Sequence, residues 1–285
     1  MRTFFMPEQG KSRVLSIAHR GARSLAPENT LQAIRKAHAV GADMCEVDVR
    51  LTADDIPVLL HDKVLERISN IWDMPNFRNR RSWAVGALTY EELQQLDCGS
   101  WFLQQDPFRC IRGGKVSGAE QESYKGLQLA TLEQALELIK AHDWMINIEL
   151  KDVGPKRHQI LVEQACSIVR DLGLVNRVLF SSLRFATLEA VRDQGADFHL
   201  AFVDNVVHPQ VLRRLLSIRA TAYHPKHTLV RPDIIRSCRG GGIAVNVWTV
   251  NRMTDLRLLQ AMGVDGVITD VPQRMHSMRV VPAAV

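Results

Sequence analysis

Short apolar strand patterns alternate with amphipathic helical patterns from Thr131 almost to the end of the 285-residue chain. The spacing predicts helices at Leu132 to Ala141, His158 to Leu172 and Phe185 to Asp193, with strands at Met145 to Leu150 and Val178 to Ser181 between them. Strands near Phe198 to Val203, Ala220 to Tyr223, Ile243 to Trp248 and Val264 to Thr269 follow, separated by helical patterns at Pro209 to Ser217, Pro232 to Ser237 and Met253 to Met262. Two earlier strands, one emerging at Ile17 and one at Cys45 to Leu51, bring the count in this rhythm to eight. Strand and helix in strict alternation imply a parallel sheet covered by helices, so the predicted class is α/β, a (β/α)8 TIM-type barrel. In such a barrel the active site lies at the C-terminal ends of the strands. A doubly wound open sheet is the alternative architecture, but no Gly-rich dinucleotide fingerprint follows the first strand.

Two stretches fall outside the rhythm. Ala53, Asp54 and Asp55 are too few to hold a crossover helix, so Val58 to His61 is predicted to return as an extra antiparallel hairpin strand. Residues 62–126 do not alternate; they hold Trp72, Trp83 and Trp101, and a capped helix at Thr89 to Leu96 with Thr89 and Glu92 as its box. They are expected to be an insertion packed over one end of the sheet. Length alone allows one large barrel or two smaller domains, and the pattern favours residues 1–285 as a single barrel domain.

The polar residues gather where strands end. His19 closes the first apolar run, His61 closes Val58, Leu59 and Leu60, and Glu46 and Asp48, two apart on one strand, face the same way. Glu149, Lys151 and Trp248 occupy corresponding strand ends. Asn29 is predicted to cap the helix Thr30 to Val40, with Gln32 as its box partner. Ser181 and Ser182 either touch a phosphate or cap the next helix, whereas His224 and His227 have no spacing partner that demands a metal and read as surface or packing residues.

The string His19-Arg20-Gly21, then Pro27-Glu28-Asn29-Thr30, Gly41 to Val49 and Val58 to Asp62 resembles the glycerophosphodiester phosphodiesterase family, a branch of the phosphatidylinositol phospholipase C-like phosphodiesterases. Asn147 to Lys151, Asn246 to Asn251 and Gly263 to Asp270 continue the resemblance in order across nearly the whole chain. It implies hydrolysis of glycerophosphodiesters to glycerol 3-phosphate and an alcohol, with His19 and His61 sharing the general acid and base roles. The two histidines suit those roles because an imidazole titrates near neutral pH. The cyclic-phosphate route through the glycerol hydroxyl and direct attack by water both remain open, as does which ring is the acid.

Glu46, Asp48 and Glu149 offer hard oxygen ligands, which suit Mg²⁺ or Ca²⁺ rather than zinc. A divalent ion with Arg20 and Lys151 balances the charge of three carboxylates and a phosphodiester. Arg20 and Lys151 are the expected phosphate contacts. Trp248, two after Asn246 on one strand face, points either into the mouth against the glycerol or alcohol portion or into the barrel core. The resemblance makes the insertion a substrate-selecting cover; its segment Leu103 to Gly126 is longer and more polar than the resemblance implies. An apolar groove among Trp72, Trp83, Trp101 and Phe102 would instead admit lysophospholipids, in a lysophospholipase D-like activity at the same site. A non-catalytic phosphate-binding barrel is the third reading, and its expected mark, loss of one histidine, is absent.

Composition narrows the class further. With 46% hydrophobic and 24% charged residues the chain can bury a large core. The net charge of +5 and the runs Arg78, Arg80, Arg81 and Arg109, Arg112, Lys115 could draw anions, but no nucleic-acid-binding motif accompanies them. Five widely spaced cysteines without a Cys-x-x-Cys pair, and a Phe4-Phe5-Met6 run cut by Pro7, predict a reduced cytoplasmic protein with no signal peptide or membrane span. The expected partner is a small glycerophosphodiester; a homo-oligomer is compatible with this sequence.

Overall fold

Eight strands with inward residues alternating with outward ones close on themselves in the order of the chain. The computed structural model describes residues 14–275 apart from 207 and 209, so the Phe4 to Met6 run and Pro209 lie outside the described residues. Strands β1 (Leu15–Ala18), β2 (Met44–Leu51), β4 (Ile146–Leu150), β5 (Val178–Ser182), β6 (His199–Asp204), β7 (Ala222–Pro225), β8 (Ala244–Val247) and β9 (Gly266–Thr269) are parallel neighbours, and β1 pairs with both β2 and β9. The barrel is therefore closed. The extra strand β3 (Pro57–Leu59) pairs antiparallel with the far end of β2, as the short Ala53 to Asp55 turn requires.

Helices α1 (Leu31–Ala39), α5 (Leu132–Ala141), α6 (His158–Asp171), α7 (Phe185–Gln194), α8 (Val211–Ser217), α9 (Pro232–Gly240) and α10 (Met253–Met262) lie between successive strands, and α11 (Pro272–Met275) follows the last. Between β3 and α5 the insertion forms 3₁₀ turns and the short helices α2 (Tyr90–Leu93), α3 (Ser100–Gln105) and α4 (Gly118–Tyr124). The Thr89/Glu92 box is present, but α2 ends at Leu93, three residues earlier than expected.

Two cores result from the alternation. Inside the barrel, Ile17, Met44, Leu179, Ala201, Ala222, Ala244 and Ile268 fill one cluster, and the larger cluster lies between strands and helices. In α5 the buried Leu132, Leu136 and Ile139 recur at helical spacing. Each such chain contributes roughly 1.5–3 kcal/mol on burial, more than the roughly 1 kcal/mol of its Thr131/Gln134 cap. Packing, not capping, holds that helix in place.

Cap position differs from expectation at α1. The cap is Thr30, whose Oγ1 accepts from Ala33 N at 3.1 Å, and Asn29, in a left-handed conformation at φ 56°, is free for another task. The insertion's Trp101, Phe102 and Tyr124 pack edge to face as an extension of the larger cluster, while Trp72 and Trp83 pair with each other at 4.2 Å. The arginines and lysine of the two basic runs are exposed. Thr30→Ala is expected to lower unfolding free energy by about 1 kcal/mol in urea titrations; no change would mean that another group caps α1.

Candidate active site

The inward faces of the strands deliver the polar residues to one end of the barrel. Glu46 and Asp48 lie on β2 in register with Asn147 and Glu149 on β4, and His19, Lys151, Trp248 and Asp270 lie just past their strands. A cavity of about 300 Å³ opens there, lined by His19, Arg20, Arg23, Glu46, His61, Asn147, Glu149, Lys151, His224, Trp248 and Asp270, with Leu183, Val203 and Ile268 on its apolar side. The turn out of β1 depends on Gly21, at φ 78°, where a Cβ would lie 2.6 Å from the Ala33 carbonyl carbon. That turn brings the Arg20 N–H to donate to Glu46 Oε2 at 2.8 Å.

Asp48 is heavily compensated. Lys151 Nζ lies 2.7 Å from Oδ1 and Arg20 Nε 3.2 Å from Oδ2. Asn29 donates to Oδ2 at 2.8 Å, and the Asp48 N–H donates back to Asn29 Oδ1 at 3.1 Å. Burial alone would raise the Asp48 carboxyl, but the charges of Lys151 and Arg20 hold it well below the ordinary range. Glu46 has the opposite balance. Burial raises its carboxyl, Asp48 and Glu149 raise it further, and Lys151 and the Arg20 N–H only partly oppose them.

One oxygen each of Glu46, Asp48 and Glu149 lie within 4.8 Å of one another, and Glu46 Oε1 is buried without a hydrogen-bond partner. A buried acceptor left unpaired among carboxylates is the arrangement a hard divalent cation satisfies, so the residues present fit such an ion. Lys151, also 2.5 Å from Glu149 Oε1, is held charged: burial would lower its pKa, and Asp48 and Glu149 raise it.

Each histidine at the mouth is backed by an aspartate. His19 Nδ1 is 2.6 Å from Asp270 Oδ1, and Asn251 donates to Asp270 Oδ2 at 2.6 Å. His61 Nδ1 is 2.7 Å from Asp62 Oδ1, while Arg50 donates to the His61 carbonyl through Nε and Nη2 at 2.9 and 2.8 Å. An ionised carboxylate only accepts, so Nδ1 donates in both rings, which leaves Nε2 as the nitrogen that takes up or gives a proton. Burial, with the charges of Lys151 and Arg20, holds the His61 pKa below its ordinary value against the opposing pull of Asp48 and Asp62.

Several residues at this mouth carry no assigned role in the sequence reading. Asp62 directly follows His61, and Asp270 ends the final strand motif, so their positions were visible but their partners were not. Asn29 corrects the helix-cap assignment by bracing Asp48. His224 is a packing residue, as expected, yet its place is the cavity wall, where burial pushes its pKa down to about 3 and Asn246 Nδ2 sits 3.1 Å from Nε2. Trp248 also lines the cavity, its Nε1 donating to the His224 carbonyl at 2.8 Å. Ser182 Oγ donates to the Leu150 carbonyl at 2.8 Å and accepts from the Arg184 N–H, and Ser181 is buried inside the barrel. None of Trp72, Trp83, Trp101 and Phe102 lines this cavity, so the predicted apolar groove does not form there.

Residues 19–274 match the Glycerophosphoryl diester phosphodiesterase family. A glycerophosphodiester phosphodiesterase of Caldanaerobacter subterraneus is 28% identical over 93% of this chain and 98% of its own length. Another, from Bacillus altitudinis, is 29% identical over 92% of this chain and 96% of its own. The fold is similar to that of an Oleispira antarctica phosphodiesterase solved with the product sn-glycerol-3-phosphate, at a TM-score of 0.79 and 24% identity over 97% of this chain and 98% of that one.

Behind the cavity, Glu28 accepts from Arg20, Arg23 and Arg67 at 2.8, 2.7 and 2.6 Å. Burial would raise its carboxyl, but the hydrogen bond from Arg67 and the three positive charges bring it from 4.5 down to about 2. A carboxyl lowered by folding stabilises the fold above its unfolded pKa, and that contribution is lost as pH falls through the folded value. The stability gap between wild type and Glu28→Gln should therefore be widest above about pH 5 and close as pH falls toward about 2. Urea unfolding of both proteins across this range checks it, and a constant gap would exclude the arginine cluster as the cause.

Proposed function

The chain belongs to the glycerophosphoryl diester phosphodiesterase family, and we propose that it hydrolyses glycerophosphodiesters to glycerol 3-phosphate and an alcohol in a metal-dependent reaction. The observation that carries this reading is the meeting, in one cavity, of His19 and His61 with Glu149 and Glu46, beside Asp48. Relatives named for the activity over nearly their whole length support it, as does the glycerol-3-phosphate seen in the Oleispira protein.

Glu46, Asp48 and Glu149 would hold a divalent ion, Mg²⁺ or Ca²⁺. When bound, that ion supplies positive charge beside the non-bridging phosphate oxygens. Arg20 and Lys151 bring fixed positive charge to the same wall and cannot easily lose it in this environment. One histidine takes the proton from the attacking oxygen, either the glycerol hydroxyl beside the phosphate or a water. The other gives a proton to the departing alkoxide. Burial and the charges of Lys151 and Arg20 favour the neutral form of His61, which suits it to accept a proton at Nε2. Trp248, pinned through its indole N–H, offers an apolar wall with Leu183 and Val203 for the alcohol portion.

The lysophospholipid reading loses its predicted support, because the insertion's aromatics pack among themselves. The insertion instead serves the site by supplying Asp62 and Arg67, which supports treating the chain as one domain. Five free, buried cysteines support a cytoplasmic setting. Among the described residues no helix is long and apolar enough to cross a membrane.

Release of glycerol 3-phosphate from glycerophosphocholine and glycerophosphoethanolamine is expected to stop on chelation and return with Mg²⁺ or Ca²⁺. His61→Ala should lower turnover by roughly 10²- to 10⁴-fold. Full activity after chelation would remove the metal from the reaction, and a near wild-type rate in His61→Ala would remove that histidine.

A further inference from the structure

Glu28 does not line the cavity, yet its buried carboxylate lies midway along a continuous chain of charged contacts between the two histidines. On one side Arg67 donates to Glu28 Oε1 from Nη2 at 2.6 Å and to Asp62 Oδ2 from Nε at 2.6 Å, and Asp62 Oδ1 holds His61 Nδ1 at 2.7 Å. On the other, Arg23 donates to Glu28 Oε2 at 2.7 Å and to Asp270 Oδ1 at 3.3 Å, and the same Oδ1 holds His19 Nδ1 at 2.6 Å. Arg20, the third guanidinium on Glu28, continues to Asp48.

We propose that Glu28 is a positioning residue that ties the two histidine-aspartate pairs into one frame and so sets where both Nε2 atoms point. The proposal rests on the phosphodiesterase reading of the site. A guanidinium is a rigid planar fork, so an arginine gripping two carboxylates fixes their relative orientation as well as their distance. Acid-base catalysis is sensitive to displacements of about half an ångström, which makes such support part of the rate. The two ends differ in how much they need it. Asp270 is also held by Asn251 through side chain and backbone, whereas Asp62 is partly exposed and its carboxylate has Arg67 as its link to the buried interior. His61 therefore depends more on the Glu28 frame than His19 does.

Arg67 tests this without entering the cavity. Arg67→Met should lower kcat by about 10-fold with KM within about twofold of wild type, in line with the usual effect of losing an outer partner. Combined with Asp62→Asn it should cost no more than the larger single effect, since both cut the same link. Glu28→Gln, which keeps the shape but not the charge, should lower kcat by about 10- to 100-fold. Two-bond proton-nitrogen spectra of ¹⁵N-histidine in the ligand-free protein give a readout independent of turnover. Arg67→Met should change the His61 ring alone, and Glu28→Gln both rings.

An unchanged kcat in Arg67→Met, full additivity with Asp62→Asn, or unchanged ring spectra in both single variants would overturn the frame. A wild-type protein that hydrolyses no glycerophosphodiester would refute the activity instead, and the spectra alone would then decide whether Glu28 orients the rings.

Discussion

Glu28, Glu46, Asp48 and Asp270 are all buried at one end of a barrel, which is possible only because Arg20, Arg23 and Lys151 are drawn in with them. An uncompensated buried charge costs several kcal/mol even after relaxation, comparable to the whole margin by which a domain is stable. The turn after β1 follows from this requirement. Arg20 and Asn29 both take left-handed backbone conformations, uncommon for residues with a side chain, and both thereby reach the carboxylates of β2. Local strain and charge compensation are two sides of one arrangement.

Compensation is unevenly distributed, and the unevenness is informative. Asp48 has two cations and an amide; Glu28 has three cations; Asp270 has a histidine, an arginine and an amide. Glu46 has a single backbone donor on one oxygen and no partner on the other. Glu28 and Asp270 are thus hydrogen-bonded on both oxygens and Asp48 is neutralised by its cations, whereas Glu46 has no cation bonded to it among the described residues. A hard divalent cation resolves that imbalance, whereas protonating Glu46 would relieve its repulsion but weaken it as a ligand.

The barrel was legible in the sequence because its strands and helices obey two separate periods over long stretches. Strand ends shifted by one or two residues, as at Ala222–Pro225, where apolar Ala220 lies just before the first ladder pair. His19, Glu46, Asp48, Glu149 and Lys151 were legible as candidates because period-two alternation sends them inward near the ends of strands, and His61 because it closes the apolar run Val58 to Leu60. The supporting residues were not, since contacts such as Glu28 to Arg67 join positions 39 apart through a fold that local patterns cannot close. Asn29 was misread for a different reason. Asparagine beside the first turn is a good cap by propensity, but Thr30 was equally able to cap, and only the buried Asp48 carboxylate decides between them.

The insertion reaches the catalytic mouth through Asp62 and Arg67. Most of its aromatic residues join the large core between strands and helices and none lines the cavity, so their identity bears on packing. Asp62 and Arg67 are different: they sit at its first turn, directly after the hairpin strand, before the insertion departs from the barrel. The hairpin is the device that allows this, because an antiparallel return carries His61 back to the mouth, level with Asp48, whose carbonyl accepts from the Leu60 N–H at 3.0 Å. A crossover helix in its place would have carried the chain to the opposite end. The extra strand is therefore a functional departure from strict βα alternation: it supplies the second histidine and delivers the insertion to the place where one arginine can brace it.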